Sequence, residues 1–432
     1  MIVVQPRGRA PSPTLPLRYL ATAVVAFLGA ALVLPLLATE LAGHYYHPRI
    51  LALTHAVTLG WITLTIMGAS YQLIPIVLEC PIWSERLARW QFVVFVVGVL
   101  GMVVHFFIGE WSGLVWAAGT VAVGVSCHLV NVALSLRSIP RFSFTARLMI
   151  VALAGLAATT LAGLALGLDH VVKFLPLDLF PALHAHVHLA LLGWVAPMLV
   201  GVAARVYHMF LLAQEPTGAL ATLQFWGFAL GVPLVTAGIL LDNVLVMVGA
   251  VAVAAALAAH AGWIVRSARN RKRPALDWGL RFALTATAFL LPATGLGLAL
   301  AFDVVSGPRA AIAYMVLALG WVSLSIVGMM LKIVPFLVWY HVYGPQLGRR
   351  PVPTLAQLSW PAAQRAAYTL LTPGVLALAA AVAAGAPAWI TLAGCVIAAG
   401  AGAFAICIAR TLHHTTPSVA RHVAAAEGSG TP

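Results

Sequence analysis

Charged residues make up only 8% of this 432-residue chain, and just 11 of them are Asp or Glu. A soluble domain carries about 25% charged residues, so this chain cannot cover itself in water. Acidic side chains are nearly absent from the apolar runs, which excludes a relay of carboxylates through them. The four cysteines, Cys80, Cys127, Cys395 and Cys407, form no C-x-x-C pair. That argues against a disulfide framework and a thiolate zinc site, and the missing C-x-x-C-H excludes covalent c-type haem attachment. No polar stretch between the apolar runs is long enough to form a domain.

Hydrophobic residues are abundant instead, at 62%, with a mean hydropathy of +1.00. Apolar runs recur at the length of about 20 residues that crosses the hydrocarbon of a bilayer as a helix. They predict an all-α polytopic membrane protein, a single transmembrane domain over 1–432 with lipid as its surroundings. Twelve helices are expected near 17–39, 50–78, 90–108, 112–136, 146–168, 182–212, 221–242, 244–265, 279–302, 309–340, 366–385 and 388–412. The first run follows Arg7 and Arg9 but is too long for a signal-peptide core, so it is read as a retained helix.

The formal charge of +13 is explained by topology rather than by nucleic acid, which is not an expected partner. With a cytoplasmic N-terminus, twenty basic residues fall on inside segments: Arg7, Arg9, Arg18, Arg86, Arg89, Arg137, Arg141, Arg147, Arg205, Arg266, Arg269, Arg271, Lys272, Arg273, Arg281, Arg349, Arg350, Arg365, Arg410 and Arg421. Outside lie only Arg49, Lys173 and Arg309, while Lys332 falls within a span. This asymmetry predicts a bacterial inner-membrane protein with both termini in the cytoplasm.

The chain repeats itself. Helices expected to open at Pro48, Pro181 and Pro308 carry Gly-Trp twelve residues later, at Gly60-Trp61, Gly193-Trp194 and Gly320-Trp321, and a further glycine at Gly68, Gly201 and Gly328. Proline suits a first helical turn, where its missing donor is not needed, and small residues let helix backbones approach. These are the second, sixth and tenth helices. The period of four predicts three pseudo-threefold four-helix units, approximately 17–136, 146–265 and 279–412, with the repeat helices at the centre.

Seven residues after each proline stand His55, His188 and Met315, roughly 10 Å below the helix start. Around the second lies the cluster His184-Ala185-His186-Val187-His188. On a helix His184 and His188 share a face, whereas His186 and His188 point about 200° apart, so one helix could serve two centres. His44, His47, His105 and His170, the last in a loop before the sixth helix, bring eight of the fifteen histidines toward the outer end. Neutral imidazole is a common metal ligand, and ionisable groups at membrane depth are functional candidates. His128 and His260 are read as hydrogen-bonded core residues, and His413, His414 and His422 as solvated tail residues.

The candidate metal ligands are thus His55, His186, His188, His184, His44, His47 and His105. Zinc would be expected with thiolate or carboxylate partners, which this depth lacks. Haem iron suits opposed histidines in an apolar slot. Its propionates would need outer cations, for which Arg49 and Arg309, both just after a repeat proline, are the candidates; the alternative is that they anchor the interface. Gln72, Arg205 and Lys332 coincide at the inner end of the repeat and read as snorkelling residues or as a polar proton inlet.

Three four-helix units and the H-x-H of His186-Val187-His188 followed by Gly193-Trp194 resemble subunit I of the haem-copper oxidase superfamily, nearest its C-type oxygen reductases and nitric oxide reductase relatives. The resemblance implies one or two haem b groups, copper as a candidate second metal, a c-type cytochrome, quinol or other redox subunit as electron partner, and a diatomic such as nitric oxide or oxygen as ligand. It implies that His186 and His188 serve separate haems and that His55 completes a low-spin pair with one of them. In the family, however, H-x-H lies on the tenth helix, where this chain has Met315. The family's copper ligands are one histidine on the sixth helix and an adjacent pair on the seventh, where this chain has no histidine; copper would need His184, His44, His47 or His105. The competing expectation is a transporter or binding subunit that kept the fold without redox catalysis, or a membrane anchor serving a separate redox partner.

Overall fold

The computed structural model describes residues 12–212, 214–272, 275–349 and 351–416. Arg7, Arg9, Arg273, Arg350, Arg421 and His422 lie outside the described residues. The described chain is helical and contains twelve helices long and apolar enough to cross a membrane. In chain order they are α1 Thr14–Leu41, α2 Pro48–Val77, α3 Glu85–Ile108, α4 Leu114–Leu136, α5 Phe144–Val172, α6 Leu179–Leu211, α7 Gly218–Leu241, α8 Leu245–Arg269, α9 Trp278–Ala301, α10 Pro308–Val342, α11 Pro361–Ala383 and α12 Pro387–His413. Each coincides with an expected span to within five residues. One boundary changes a placement: α5 runs on to Val172, so His170 lies in its last turn and not in a loop.

Local chemistry sets the helix starts. Prolines occupy the first turn of α2, α10, α11 and α12, where a missing N–H is harmless. Ser84, Ser143 and Asp277 accept from the amides of Leu87, Ala146 and Leu280 to cap α3, α5 and α9, each satisfying a donor that has no partner inside the helix. The turn after α3 uses Gly109 at φ 73°, a left-handed conformation that favours glycine.

The same packing recurs three times. In each unit the first helix packs on the second, the second on the third and the third on the fourth; the fourth then meets the first helix of the next unit, and α12 closes the ring against α1. The expected three-unit ring is therefore present, with α2, α6 and α10 inside it. Their apolar windows are 61% buried, against 28–44% for the other nine helices. Apolar side chains such as Leu291, Leu36 and Trp90 stand exposed on the outer faces, as suits contact with lipid.

Two sets of repeat residues lock the centre. A Cβ on Gly68, Gly201 or Gly328 would lie 2.4 Å from Tyr19, 2.9 Å from Leu148 or 2.5 Å from the Gly279 carbonyl, so each glycine lets its helix seat against the first helix of its own unit. Trp61 donates its indole N–H to Ser323 Oγ at 3.2 Å, and Trp194 donates to Thr63 Oγ1 at 3.2 Å. The acceptors sit two residues beyond the neighbouring helix's own tryptophan. The third position of that series, two residues beyond Trp194, is Ala196, which carries no hydroxyl.

The repeat helices differ in one backbone feature. A π-helical segment occupies Ala56–Thr63 in α2 and Leu189–Val195 in α6, directly after His55 and His188. In α10, where Met315 takes that place, the α-helix runs unbroken from Pro308 to Val342. A π-turn rotates less per residue than an α-turn, so it re-aims the face that precedes it, and such segments are frequent at functional sites.

Candidate haem and metal site

Three of the predicted histidines share one arrangement. His55 Nδ1 lies 2.7 Å from the Leu51 carbonyl oxygen, His188 Nδ1 2.8 Å from that of His184, and His186 Nδ1 3.1 Å from that of Thr159 on α5. A carbonyl only accepts, so in each ring the proton resides on Nδ1 and donates to it. The neutral ring then presents a bare Nε2 lone pair, and none of the three Nε2 atoms has a hydrogen-bond partner among the described residues. Backbone anchoring of one ring nitrogen is the usual support for a histidine whose other nitrogen binds metal.

The H-x-H pair is divided between two slots. His186 meets the Thr159 carbonyl of α5 and has His55 of unit I as its ionisable neighbour. Gly163 on α5 makes room for it: a Cβ there would stand 2.8 Å from His186 Cε1. Phe106 of α3 stacks on His55, with ring centroids 4.8 Å apart. His188 turns instead toward unit III, where Tyr314 of α10 stacks parallel to it at 6.1 Å.

On that second side lies a cavity of about 630 Å³, lined mainly by apolar residues together with His184, His188, Tyr45, Tyr314 and Met315. This is within the roughly 300–1,000 Å³ of small-molecule and cofactor sites. Threefold rotation of the His55–His186 arrangement would oppose His188 with Ala313, so the second slot has one imidazole where the first has two. His184 lines this second cavity with its Nε2 engaged, 2.9 Å from the Tyr45 hydroxyl.

The remaining candidates are not drawn into this arrangement. His105 lies with Nδ1 2.8 Å from Glu110 Oε2, and its Nε2 accepts from the Trp116 indole at 3.1 Å. His47 Nδ1 accepts from the Arg49 amide at the start of α2, and His44 Nδ1 from that of Tyr46. Among the described residues no group of three or more His, Cys, Asp or Glu is disposed to hold a metal ion. His170 stacks on Trp111 at 4.1 Å. His128 is a hydrogen-bonded core residue, 3.2 Å from the Tyr71 hydroxyl. His414 is not simply solvated, since its Nδ1 meets the Tyr343 hydroxyl at 2.8 Å.

At the histidine end, Arg49 pairs with Glu40 at 3.1 Å, and Arg309 Nε donates to the Ala42 carbonyl at 3.0 Å. Both thus converge on the α1–α2 connection. Arg309 has no carboxylate within ion-pair distance among the described residues, and the cavity reaches Gly307 and Pro308 beside it. At the opposite end Arg205 pairs with Glu215 at 2.8 Å and Lys332 with Asp277, the behaviour of snorkelling side chains that find a partner at the boundary. Gln72 is buried there.

Sequence reasoning missed the carbonyl of Thr159 and the hydroxyl of Tyr45 as the groups that orient His186 and His184. Neither carries a local signal, because Thr159 comes from α5 and Tyr45 from the α1–α2 connection, both distant in the chain. No protein-family model matches the chain, and no curated protein matches it.

Proposed function

We propose that the chain is a haem-b-binding membrane protein related to subunit I of the haem-copper oxidases, acting in electron transfer or in the binding or reduction of a diatomic such as nitric oxide or oxygen. The observation that carries this reading is the repeated imidazole geometry: Nδ1 protons given to backbone carbonyls and bare Nε2 atoms turned into slots between units. The donor set fits haem iron, which takes neutral imidazole and buries its macrocycle in apolar surroundings.

His55 and His186 are the residues that would hold one haem, and His188 the residue that would hold a second. The bound group supplies one-electron chemistry. The chain's own residues do the rest. The carbonyls of Leu51, Thr159 and His184 fix the tautomer and direction of the three rings, and Tyr45 keeps His184 from competing. Tyr314 lies parallel to His188 and lines the same cavity, so it brings a hydroxyl to the slot of the single imidazole. Arg309 is the cation placed for propionates, whereas Arg49 is already matched by Glu40. The electron donor would be a c-type cytochrome or quinol reaching the histidine end. The excess of basic residues at the other end supports an inner-membrane location with both termini cytoplasmic.

The protein purified from cells supplied with haem precursors should show a Soret band and a b-type pyridine haemochrome. Metal analysis on the same sample decides whether copper accompanies iron. A preparation folded by circular dichroism yet lacking any Soret band overturns the reading.

A further inference from the structure

At the end of the bundle opposite the histidines, two arginines converge on one indole. Arg281 of α9 places its Cζ 4.6 Å from the Trp278 ring, and Arg365 of α11 places its own 5.8 Å from the same side chain. Both arginines are exposed, and neither has a carboxylate within ion-pair distance among the described residues. Asp277, four residues before Arg281, is already engaged: its Oδ1 caps the Leu280 amide and its Oδ2 meets Lys332. The face of an indole attracts a guanidinium weakly at an exposed site. It does nothing to offset the repulsion between two of them.

The same place in unit I is balanced from within the chain. Close helix contacts set the correspondence: a Cβ on Gly98 would lie 2.6 Å from Val121 and one on Gly124 2.9 Å from Phe95, just as one on Gly374 would lie 2.9 Å from Ile397 and one on Gly400 2.8 Å from Leu371. The α3–α4 pair therefore matches the α11–α12 pair by one constant shift along the chain. By that shift Arg365 corresponds to Arg89, and Trp360-Pro361 at the start of α11 to Ser84-Glu85 at the start of α3. Arg281 corresponds to Arg18, since each precedes the residue, Phe282 or Tyr19, that meets the repeat glycine. In unit I Glu85 pairs with Arg89 at 3.4 Å. In unit III both arginines remain, the acid is a proline, and Trp278 stands where unit I has Leu15. Unit III has kept the cation pair and lost the anion.

We propose that this face of unit III binds the phosphate of an anionic phospholipid, held by Arg281 and Arg365 beside the Trp278 ring. The depth fits a headgroup. Arg281 is the fourth residue of α9 and Arg365 the fifth of α11, so both lie within about 6 Å of a helix start, at the level where indoles favour a bilayer surface. Three turns along the same face of α11 from Arg365, Leu376 stands exposed and offers apolar surface to an acyl chain. The guanidinium fork matches phosphate oxygens in pairs. Arg410 of α12, also exposed, adds a third cation 5.1 Å from the Trp360 ring, where the constant shift gives α4 Leu134. The site does not depend on haem being bound.

The test uses the full chain stripped of lipid in a neutral detergent and titrated with phosphatidylglycerol or phosphatidylcholine, bound lipids being counted by native mass spectrometry. Two double variants remove the same charge from exposed positions: Arg281→Gln with Arg365→Gln, and Arg18→Gln with Arg89→Gln as the control from unit I. Parent and control should retain phosphatidylglycerol in preference to phosphatidylcholine. A cation beside an anionic headgroup contributes about a fivefold factor in affinity, so the unit III variant should bind phosphatidylglycerol roughly 30-fold more weakly. Equal binding by the two variants, or no preference in the parent, overturns the proposal. Displacement of the lipid by millimolar inorganic phosphate overturns it too, since the site would then take a free anion. Phosphatidylglycerol should also raise the unfolding temperature of parent and control by more than that of the unit III variant; an equal rise in all three contradicts the assignment.

Discussion

Trp194 of α6 donates its indole proton to Thr63 of α2 across the centre of the ring. Together with the bond from Trp61 to Ser323, it ties the three units to one another where no loop connects them. Thr63→Val keeps the shape but leaves the buried Trp194 N–H unpaired. We expect a loss of about 1–3 kcal/mol, read as a lower unfolding temperature in detergent, whereas Ala196→Val, at the position with no such bond, should show no comparable hydrogen-bond loss. Equal unfolding temperatures for Thr63→Val and the parent would show that the bond contributes nothing.

His186 and His188 are two residues apart yet serve different slots. Changing His186 to Ala should abolish the spectrum of a six-coordinate low-spin haem and leave a second haem in place; changing His188 to Ala should do the reverse. His55→Ala should copy the first variant, because His55 stands by His186. Electron paramagnetic resonance with haem quantitation checks this, and a single variant that removes both signals while the fold persists would contradict two separate sites.

Gly328 admits no side chain. A Cβ would sit 2.5 Å from the backbone oxygen of Gly279, which cannot swing aside as a side chain could. Gly328→Ala should therefore destabilise by about 1–3 kcal/mol. Gly119→Ala is the control, since nothing lies within 4 Å of its added methyl and alanine favours the helix by roughly 0.8–1.0 kcal/mol. Denaturant midpoints for the two variants should shift in opposite directions.

The α3–α4 turn is acid-sensitive. The Ser112 hydroxyl, the Gly113 and Ser112 amides and the His105 ring hold the Glu110 carboxyl below its ordinary value of 4.5. A depressed carboxyl contributes stability that is fully present above 4.5 and is lost as pH falls through the lower folded value. Glu110→Gln should thus be less stable than the parent at neutral pH, and the gap should close on acidification. Hydrogen exchange of the Ser112 and Gly113 amides measures it locally, and a gap independent of pH would refute the assignment.

Much of this architecture was legible in order. The twelve spans follow from apolar length, and Pro48, Pro181 and Pro308 with their Gly-Trp pairs announced the threefold ring. The depth of His55, His186 and His188 followed from counting along a helix. The partner of His55 did not, because two residues on one helix are separated by an angle whose origin no spacing supplies. The engagement of His105 was equally hidden, since Glu110 and Trp116 reach it through a turn whose shape depends on Gly109. His170 was misplaced because apolar periodicity fades before the helix does, and the last turn of α5 is held by packing against Trp111.

The sequence by itself determined the element count, the fourfold period and which residues could be ligands, since hydrophobic length and repeat spacing are properties of the chain taken locally. Only the tertiary structure decided where those candidate side chains point. His55, His188 and Met315 occupy one position in the repeat, yet π-segments follow the first two and not the third, and that choice is made where the helices meet. A rotation of the backbone by part of a turn leaves the residue spacing unchanged and alters the slot into which an imidazole looks.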